Sequence, residues 1–161
     1  MDFATRYDYL KTAIARYDGY FNLAAVKGSL VLTSNAIFLA PAIGQRNELL
    51  AAMSAGGATR ALLIAATLLS LASMVLASLV LASWLGRTRP ESLMFSDTVA
   101  ATHPDDYVKA VAQLDETRVL DDLARLAHML ATGLTRKFRY VNLSVLMLVL
   151  AVACAFLALL A

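Results

Sequence analysis

Three stretches of this chain carry no charged residue at all: Gly28 to Gly44 (17 residues), Ala61 to Gly86 (26) and Val141 to Ala161 (21). A helix that crosses the hydrocarbon core of a bilayer needs about 20 mostly apolar residues, within a working range of about 17–25. The pattern therefore predicts transmembrane helices over 28-44, 61-86 and 141-161. The first is the shortest, contains Asn35 and Pro41, and gains length by borrowing from Asn22 to Lys27.

Outside these runs the apolar residues are periodic rather than continuous. Phe3, Tyr7, Leu10, Ile14, Tyr17 and Phe21 follow steps of 4, 3, 4, 3 and 4, the spacing of a helix seam, with Asp8, Lys11, Arg16 and Asp18 off it. Fewer than three heptads do not sustain a free coiled coil, so this helix needs a partner. Leu120, Leu123, Ala127, Leu130, Leu134 and Phe138 supply a second seam, with Asp115, Arg118, Asp122 and Arg125 expected on its solvated face and Arg118 spaced to pair with Asp122. No proline interrupts Asp115 to Ala161, so one long helix is expected to run into the third span. The N-terminal helix is expected to run into the first span in the same way, with Gly19 as its weak point. Between the second and third spans, Glu91 to Thr102 reads as a short helix, and Pro104 opens another, with Asp105 and Asp106 favourable at its positive end.

The organisation that follows is 1-27, a cytoplasmic amphipathic helix leading into the first span; 28-44, the first span; 45-60, a periplasmic loop; 61-86, the second span; 87-140, a cytoplasmic helical region; and 141-161, the third span. The expected fold is an all-α integral membrane protein, three transmembrane helices with cytoplasmic helical extensions packed as a bundle. Composition agrees: 60% of the 161 residues are hydrophobic and the mean hydropathy is +0.65, against roughly 45–50% apolar residues in a soluble domain.

Charge orients the chain. Arg6, Lys11, Arg16 and Lys27 precede the first span, and Arg87, Arg89, Lys109, Arg118, Arg125, Arg136, Lys137 and Arg139 lie between the second and third. Only Arg46 and Arg60 lie between the first and second, so the count is 4 + 8 = 12 against 2. The positive-inside rule predicts a multi-pass membrane protein with a cytoplasmic N-terminus and long second loop, and with the short first loop and the C-terminus facing outward. The first 27 residues lack the apolar core of a cleaved signal, so a processed N-terminus is not expected.

Candidate chemistry is sparse. His103 and His128 are 25 residues apart, and Cys154, the single cysteine, falls within the third apolar run, so no metal site is expected. Asp105/Asp106 and Asp121/Asp122 read as a helix start and a solvated face. No phosphate loop, nucleophile elbow or metalloprotease helix occurs, and an enzyme is not expected. No cofactor is expected either, and nothing suggests a nucleic acid polymer as partner.

The polar residues of the spans say more. Thr33, Ser34 and Asn35 interrupt the first, and Ser70, Ser73, Ser78 and Ser83 interrupt the second among Ala66 and Ala77. An amide in hydrocarbon needs a partner, and small residues four apart let helices approach closely. Asn35, Ser70, Ser73 and Ala77 are accordingly candidate pore or helix-interface residues, within one protomer or in a homo-oligomer. No span holds an acid or a base, which disfavours an ion pump. Lys27, Arg87, Arg89, Arg136, Lys137 and Arg139 form a basic belt at the inner leaflet, suited to lipid headgroups or, alternatively, to the phosphate of a small nucleotide.

The order of these features resembles a known family. YFNLAAVKGSLVLTSNAIFL (Tyr20 to Leu39), MFSD (Met94 to Asp97), DDYVKAVAQL (Asp105 to Leu114) and LDDLARLAHMLATGLTRKFRYVNLSVLML (Leu120 to Leu148) are similar to the transmembrane effectors of Pycsar anti-phage systems. The likeness spans about Tyr20 to Val152. It implies an effector that responds to a cyclic pyrimidine mononucleotide made by a partner cyclase and compromises the inner membrane, ending in abortive infection. It also implies that Lys27, Asn35, Ser96, Asp97 and Lys137 are polar positions of the family. With the basic belt, this makes Lys27, Ser96, Asp97, Arg136, Lys137 and Arg139 the candidate ligand-binding residues. Ala25 departs from the pattern, since an acidic residue is expected ahead of the lysine. The chain has no room for a β-roll nucleotide domain, so a nucleotide site must lie between helices or protomers. The residues themselves leave two rivals open: a ligand-independent holin-like or scaffold membrane protein, and a regulatory subunit of another membrane complex.

Overall fold

The computed structural model describes residues 1–45, 47, 50–51, 54, 57–82 and 92–160. Among these there is no strand, and five helices follow in order: α1 (Phe3–Gly44), α2 (Gly57–Leu81), α3 (Ser96–Ala101), α4 (Pro104–Ala112) and α5 (Glu116–Leu160). Three of them, α1, α2 and α5, are long and apolar enough to cross a membrane. The chain is an all-α membrane protein. It divides into two compact units, one of residues Met1–Asn22 with Trp84–Arg136, the other of Leu23–Ser83 with Lys137–Ala161.

The first unit is a small helical bundle whose helix starts are set by local polar chemistry. Asp2 precedes α1 and its Oδ1 accepts the Thr5 N–H at 3.0 Å, satisfying one of the amides that a helix start leaves without a partner. Asp115 does the same for α5, accepting the Arg118 N–H at 2.8 Å. Pro104 occupies the first turn of α4, where a missing N–H costs nothing, with Asp105 and Asp106 beside it.

The core of this unit is formed by Phe95, Leu126 and Leu130, with Ile14, Tyr17, Phe21 and Met129 packed against it. The two expected seams thus meet at the C-terminal half of the first. Phe21 packs so close that a Cβ added at Gly133 would lie 3.5 Å from its Cζ. Phe95 enters this core from the turn before α3, a contribution that the seam spacing does not reveal. The observed α3 is shorter than the expected helix over Glu91 to Thr102, and Glu91 itself lies outside the described residues.

Asp122 requires a correction. It was expected on the solvated face, paired with Arg118, yet it is only 8% exposed. Its Oδ1 accepts the Leu93 N–H at 3.1 Å. The helix surface rotates about 100° per residue, so Asp121 remains outside and pairs with Arg125 at 2.7 Å, while Asp122 turns beside Leu123 toward the core.

The second unit contains the three span helices. Ala24, Val80 and Val141, one from each helix, form its core, with Phe138 and Tyr140 against it. At Gly28 the backbones of α1 and α2 come close: an added Cβ would lie 3.4 Å from Val80 Cγ1 and 3.5 Å from the Ala77 carbonyl oxygen. Large apolar side chains such as Leu30, Ile37, Leu68, Val75, Val149 and Phe156 remain exposed, the surface that a bilayer covers.

Helix α2 begins at Gly57, ahead of the expected Ala61, on a glycine with φ of +75°, a conformation that a side chain disfavours. Residues 47, 50–51 and 54, within the stretch expected as a loop, are helical. Arg46, Ser83, Gly86, Arg87 and Arg89, which the sequence places in that loop, the second span and the basic belt, lie outside the described residues.

Candidate functional site

The buried polar chemistry of the second unit converges on Asn35, which is fully buried in α1. Its Nδ2 donates to the Val31 carbonyl at 2.9 Å, one turn back, and to Ser73 Oγ of α2 at 3.0 Å. Ser70 Oγ donates to Asn35 Oδ1 at 2.7 Å. Ser73 Oγ in turn donates to the Ser144 carbonyl of α5 at 2.8 Å, and Ser144 Oγ donates to the Val141 carbonyl at 2.8 Å. One amide, two hydroxyls and the Ser144 backbone carbonyl thus form a clasp through all three span helices, and Asn35, Ser70, Ser73 and Ser144 are each sealed from solvent. In hydrocarbon there is no water to replace a broken hydrogen bond, so the partners hold one another in register.

Helical geometry explains why these serines meet. Ala66, Ser70, Ser73, Ala77 and Val80 recur at steps of 4, 3, 4 and 3 and form the buried stripe of α2. Ser78 falls off that stripe, is exposed, and returns its hydroxyl to the Met74 carbonyl of its own helix at 2.9 Å. Ala77, also fully buried, presents its carbonyl beside Gly28. Ser144 was not anticipated. The available signal is its place with Val141, Ala151 and Ala158 on one buried line of α5.

The candidate ligand-binding residues fall in both units. Ser96, Asp97 and Arg136 belong to the first; Lys27, Lys137 and Arg139 belong to the second. Ser96 and Asp97 are exposed at the start of α3, whereas Phe95 is the buried residue of the MFSD motif. Arg136 and Arg139 are exposed and Lys137 is half-buried. Lys27 Nζ stands 5.7 Å from the centre of the Phe138 ring, within cation–π range. Lys27 also borders a groove of about 360 Å³ with Leu30, Val31, Val141, Asn142 and Val145, a cation above an apolar trough.

A second groove, of about 450 Å³, lies in the first unit between Leu93, Leu114, Thr117, Arg118, Asp121, Asp122 and Arg125. It contains none of the candidate residues. Its Asp122 and the neighbouring Ser92, which is fully buried and accepts the Met94 N–H at 3.2 Å, were not singled out as site residues either. No group of histidine, cysteine or carboxylate side chains among the described residues is arranged to hold a metal ion.

No curated protein and no solved structure matches the chain. A family profile, the Pycsar effector protein domain, matches residues 9–161, which takes in all five helices except the first six residues of α1. A match over nearly the whole length, on a chain with three span helices and a separate helical bundle, places the fold and the sequence pattern in one family: this chain belongs to the Pycsar effectors, membrane-embedded effectors of anti-phage defence.

Proposed function

We propose that this effector impairs the inner membrane in response to a cyclic pyrimidine mononucleotide made by a partner cyclase, so that an infected cell stops growing before phage are released. The observation that carries the reading is the clasp of Asn35, Ser70 and Ser73, tied by Ser73 to the Ser144 carbonyl. In the present arrangement these polar groups satisfy one another and nothing polar faces lipid from this point. If the span helices part, the same groups become a polar stripe at mid-span that water or a second copy must satisfy. A clasp of a few hydrogen bonds is weak enough for a ligand of ordinary affinity to bias, since such bonds contribute about 1 kcal/mol or less each.

Three helices enclose no channel of their own, so the open form is a homo-oligomer with Asn35, Ser70, Ser73 and Ala77 toward its interfaces. The units are oriented by charge, with 1-27 and 87-140 cytoplasmic and the C-terminus periplasmic. Lys27, Arg136, Lys137 and Arg139 stand at the inner headgroup level, anchoring the spans and offering cations to phosphate. The chain's work in this reading is conformational, with chemistry left to the cyclase.

The test is membrane potential in cells that express the protein alone, with a live pyrimidine cyclase, or with its catalytically dead form. Depolarisation only with the live cyclase is the expected result. Equal depolarisation in every case indicates a ligand-independent, holin-like protein. No depolarisation in any case overturns the reading and leaves a scaffold or regulatory subunit.

A further inference from the structure

The groove on the N-terminal part of α5 combines features that a merely solvated surface does not need. Asp122 lines it, is more than nine-tenths buried, and spends only Oδ1 on the Leu93 N–H. Its Oδ2 is buried and has no hydrogen-bond partner among the described residues. A carboxylate oxygen without a donor is costly, and it marks a place where a donor is wanted. Arg118 and Arg125 lie one turn before and one turn after, at i−4 and i+3 from Asp122, and both line the same groove. Arg125 is held against Asp121 at 2.7 Å. Arg118 is exposed and, among the described residues, its guanidinium makes a 3.5 Å contact from Nη1 to the Gln113 carbonyl, which uses one of its five N–H donors. Leu93 and Leu114 supply apolar walls, and Thr117 a hydroxyl. The volume of about 450 Å³ lies in the range of small-molecule sites.

We infer that this groove receives a small molecule that offers an anionic group to Arg118 and an N–H donor to Asp122, with a flat ring between Leu93 and Leu114. The opposed charges reject a simple anion, which Asp121 and Asp122 repel, and a simple cation, which the arginines repel. A cyclic pyrimidine mononucleotide has both required groups: the ring phosphate is the anion, and the cytosine amino group or the uracil imide N–H is the donor. The choice of that ligand rests on the proposed function, which it extends by giving the messenger a receiving site on α5, away from the basic belt. Because Asp122 ties Leu93 to α5, a ligand drawn to Oδ2 acts on the segment that leads into Phe95 and the core of this unit.

The test uses the full chain in discs of uncharged lipid, with calorimetric titration of cyclic CMP, cyclic UMP and inorganic phosphate. Wild type should bind at least one nucleotide more tightly than phosphate. Arg118→Gln and Asp122→Asn should each weaken that binding by about tenfold or more, as expected for losing a charge-assisted contact. Asp122→Asn keeps an oxygen for the Leu93 N–H and replaces the free acceptor by a donor. Circular dichroism confirms folding, and should that variant fail to fold, the exposed Arg118→Gln decides. Equal nucleotide binding by wild type and Arg118→Gln overturns the groove and leaves the nucleotide-responsive reading standing. Loss of binding in Lys27→Ala but not in Arg118→Gln also overturns it, moving the site to the belt. No nucleotide binding by wild type removes both readings together.

Discussion

Asn35 shows what a single amide does in a low-dielectric setting. Its side chain bonds to two serines of α2 and to its own helix, and Ser73 passes the linkage on to α5. Asn35→Ala should lower the stability of the folded chain in detergent by about 1–2 kcal/mol, and Ser73→Ala by about 1 kcal/mol, read from denaturant midpoints. Because the two share a bond, the double variant should cost less than their sum, and strict additivity would show that the clasp does not act as a unit. A different residue-scale prediction concerns Asp2. Its hydrogen bonds with Thr5 hold the carboxyl below its ordinary range. A depressed carboxyl pKa stabilises the helix start at pH above the unfolded value, and the benefit is lost as pH falls through the folded one. The Thr5 amide proton resonance should therefore titrate with Asp2 on acidification, and should not in Asp2→Ala. Asn35 was legible in the sequence because an amide amid apolar residues has few alternatives. Ser144 was not, because it takes part through its backbone carbonyl, which every residue carries, while its hydroxyl bonds within its own helix as those of Ser29, Thr33, Thr67 and Ser78 do.

At the level of elements, periodicity located the helices and the faces that meet, but not what enters from the connecting segments. Ile14, Tyr17 and Phe21 on one seam, and Leu130 on the other, occupy the expected core, while Leu126 and Phe95 join it unannounced. Phe95 sits in a turn, where no period applies, so its burial could not be counted from spacing. Phe95→Ala should cost about 3 kcal/mol, the usual range for a buried aromatic. Ser96→Ala and Asp97→Ala, on the exposed start of α3, should stay within about 0.5 kcal/mol. Thermal or chaotrope melts of the three variants check this, and equal losses would show that α3 works through its polar residues. Asp122 shows the opposite failure. The pair Asp121/Asp122 suggested a solvated face, but neighbouring positions on a helix point about 100° apart, and here that step carries Asp122 to the buried side beside Leu123. Close approach in the spans makes its own prediction. Gly28→Ala should be tolerated, since the added Cβ meets Val80 Cγ1 at 3.4 Å, whereas Gly28→Leu should push α1 from α2 and weaken the fold by about 1–3 kcal/mol.

For the whole molecule, the distribution of basic residues decides which way the helices cross. Twelve lysines and arginines, in 1-27 and 87-140, stand against Arg46 and Arg60 in 45-60, and three crossings would put the termini on opposite sides. Each cationic side chain resists translocation, and the bias is read near the ends of the spans, where Lys27, Arg136, Lys137 and Arg139 stand. Alkaline phosphatase fused after Leu160 should therefore be active, and a fluorescent protein fused ahead of Met1 should be bright, as each reporter works on only one side of the membrane. The inverse pattern would place the α5 groove in the periplasm, where a cytoplasmic messenger could not reach it. The margin can be tested as well as the sign. Neutralising Arg136, Lys137 and Arg139 together leaves nine basic residues against two, so the orientation should hold. Any loss of function in that triple variant would then reflect what the belt binds, not a chain inserted the wrong way. A triple variant with mixed reporter signals would instead show that these three cations set the topology, and that their neutralisation cannot be used to argue for a ligand.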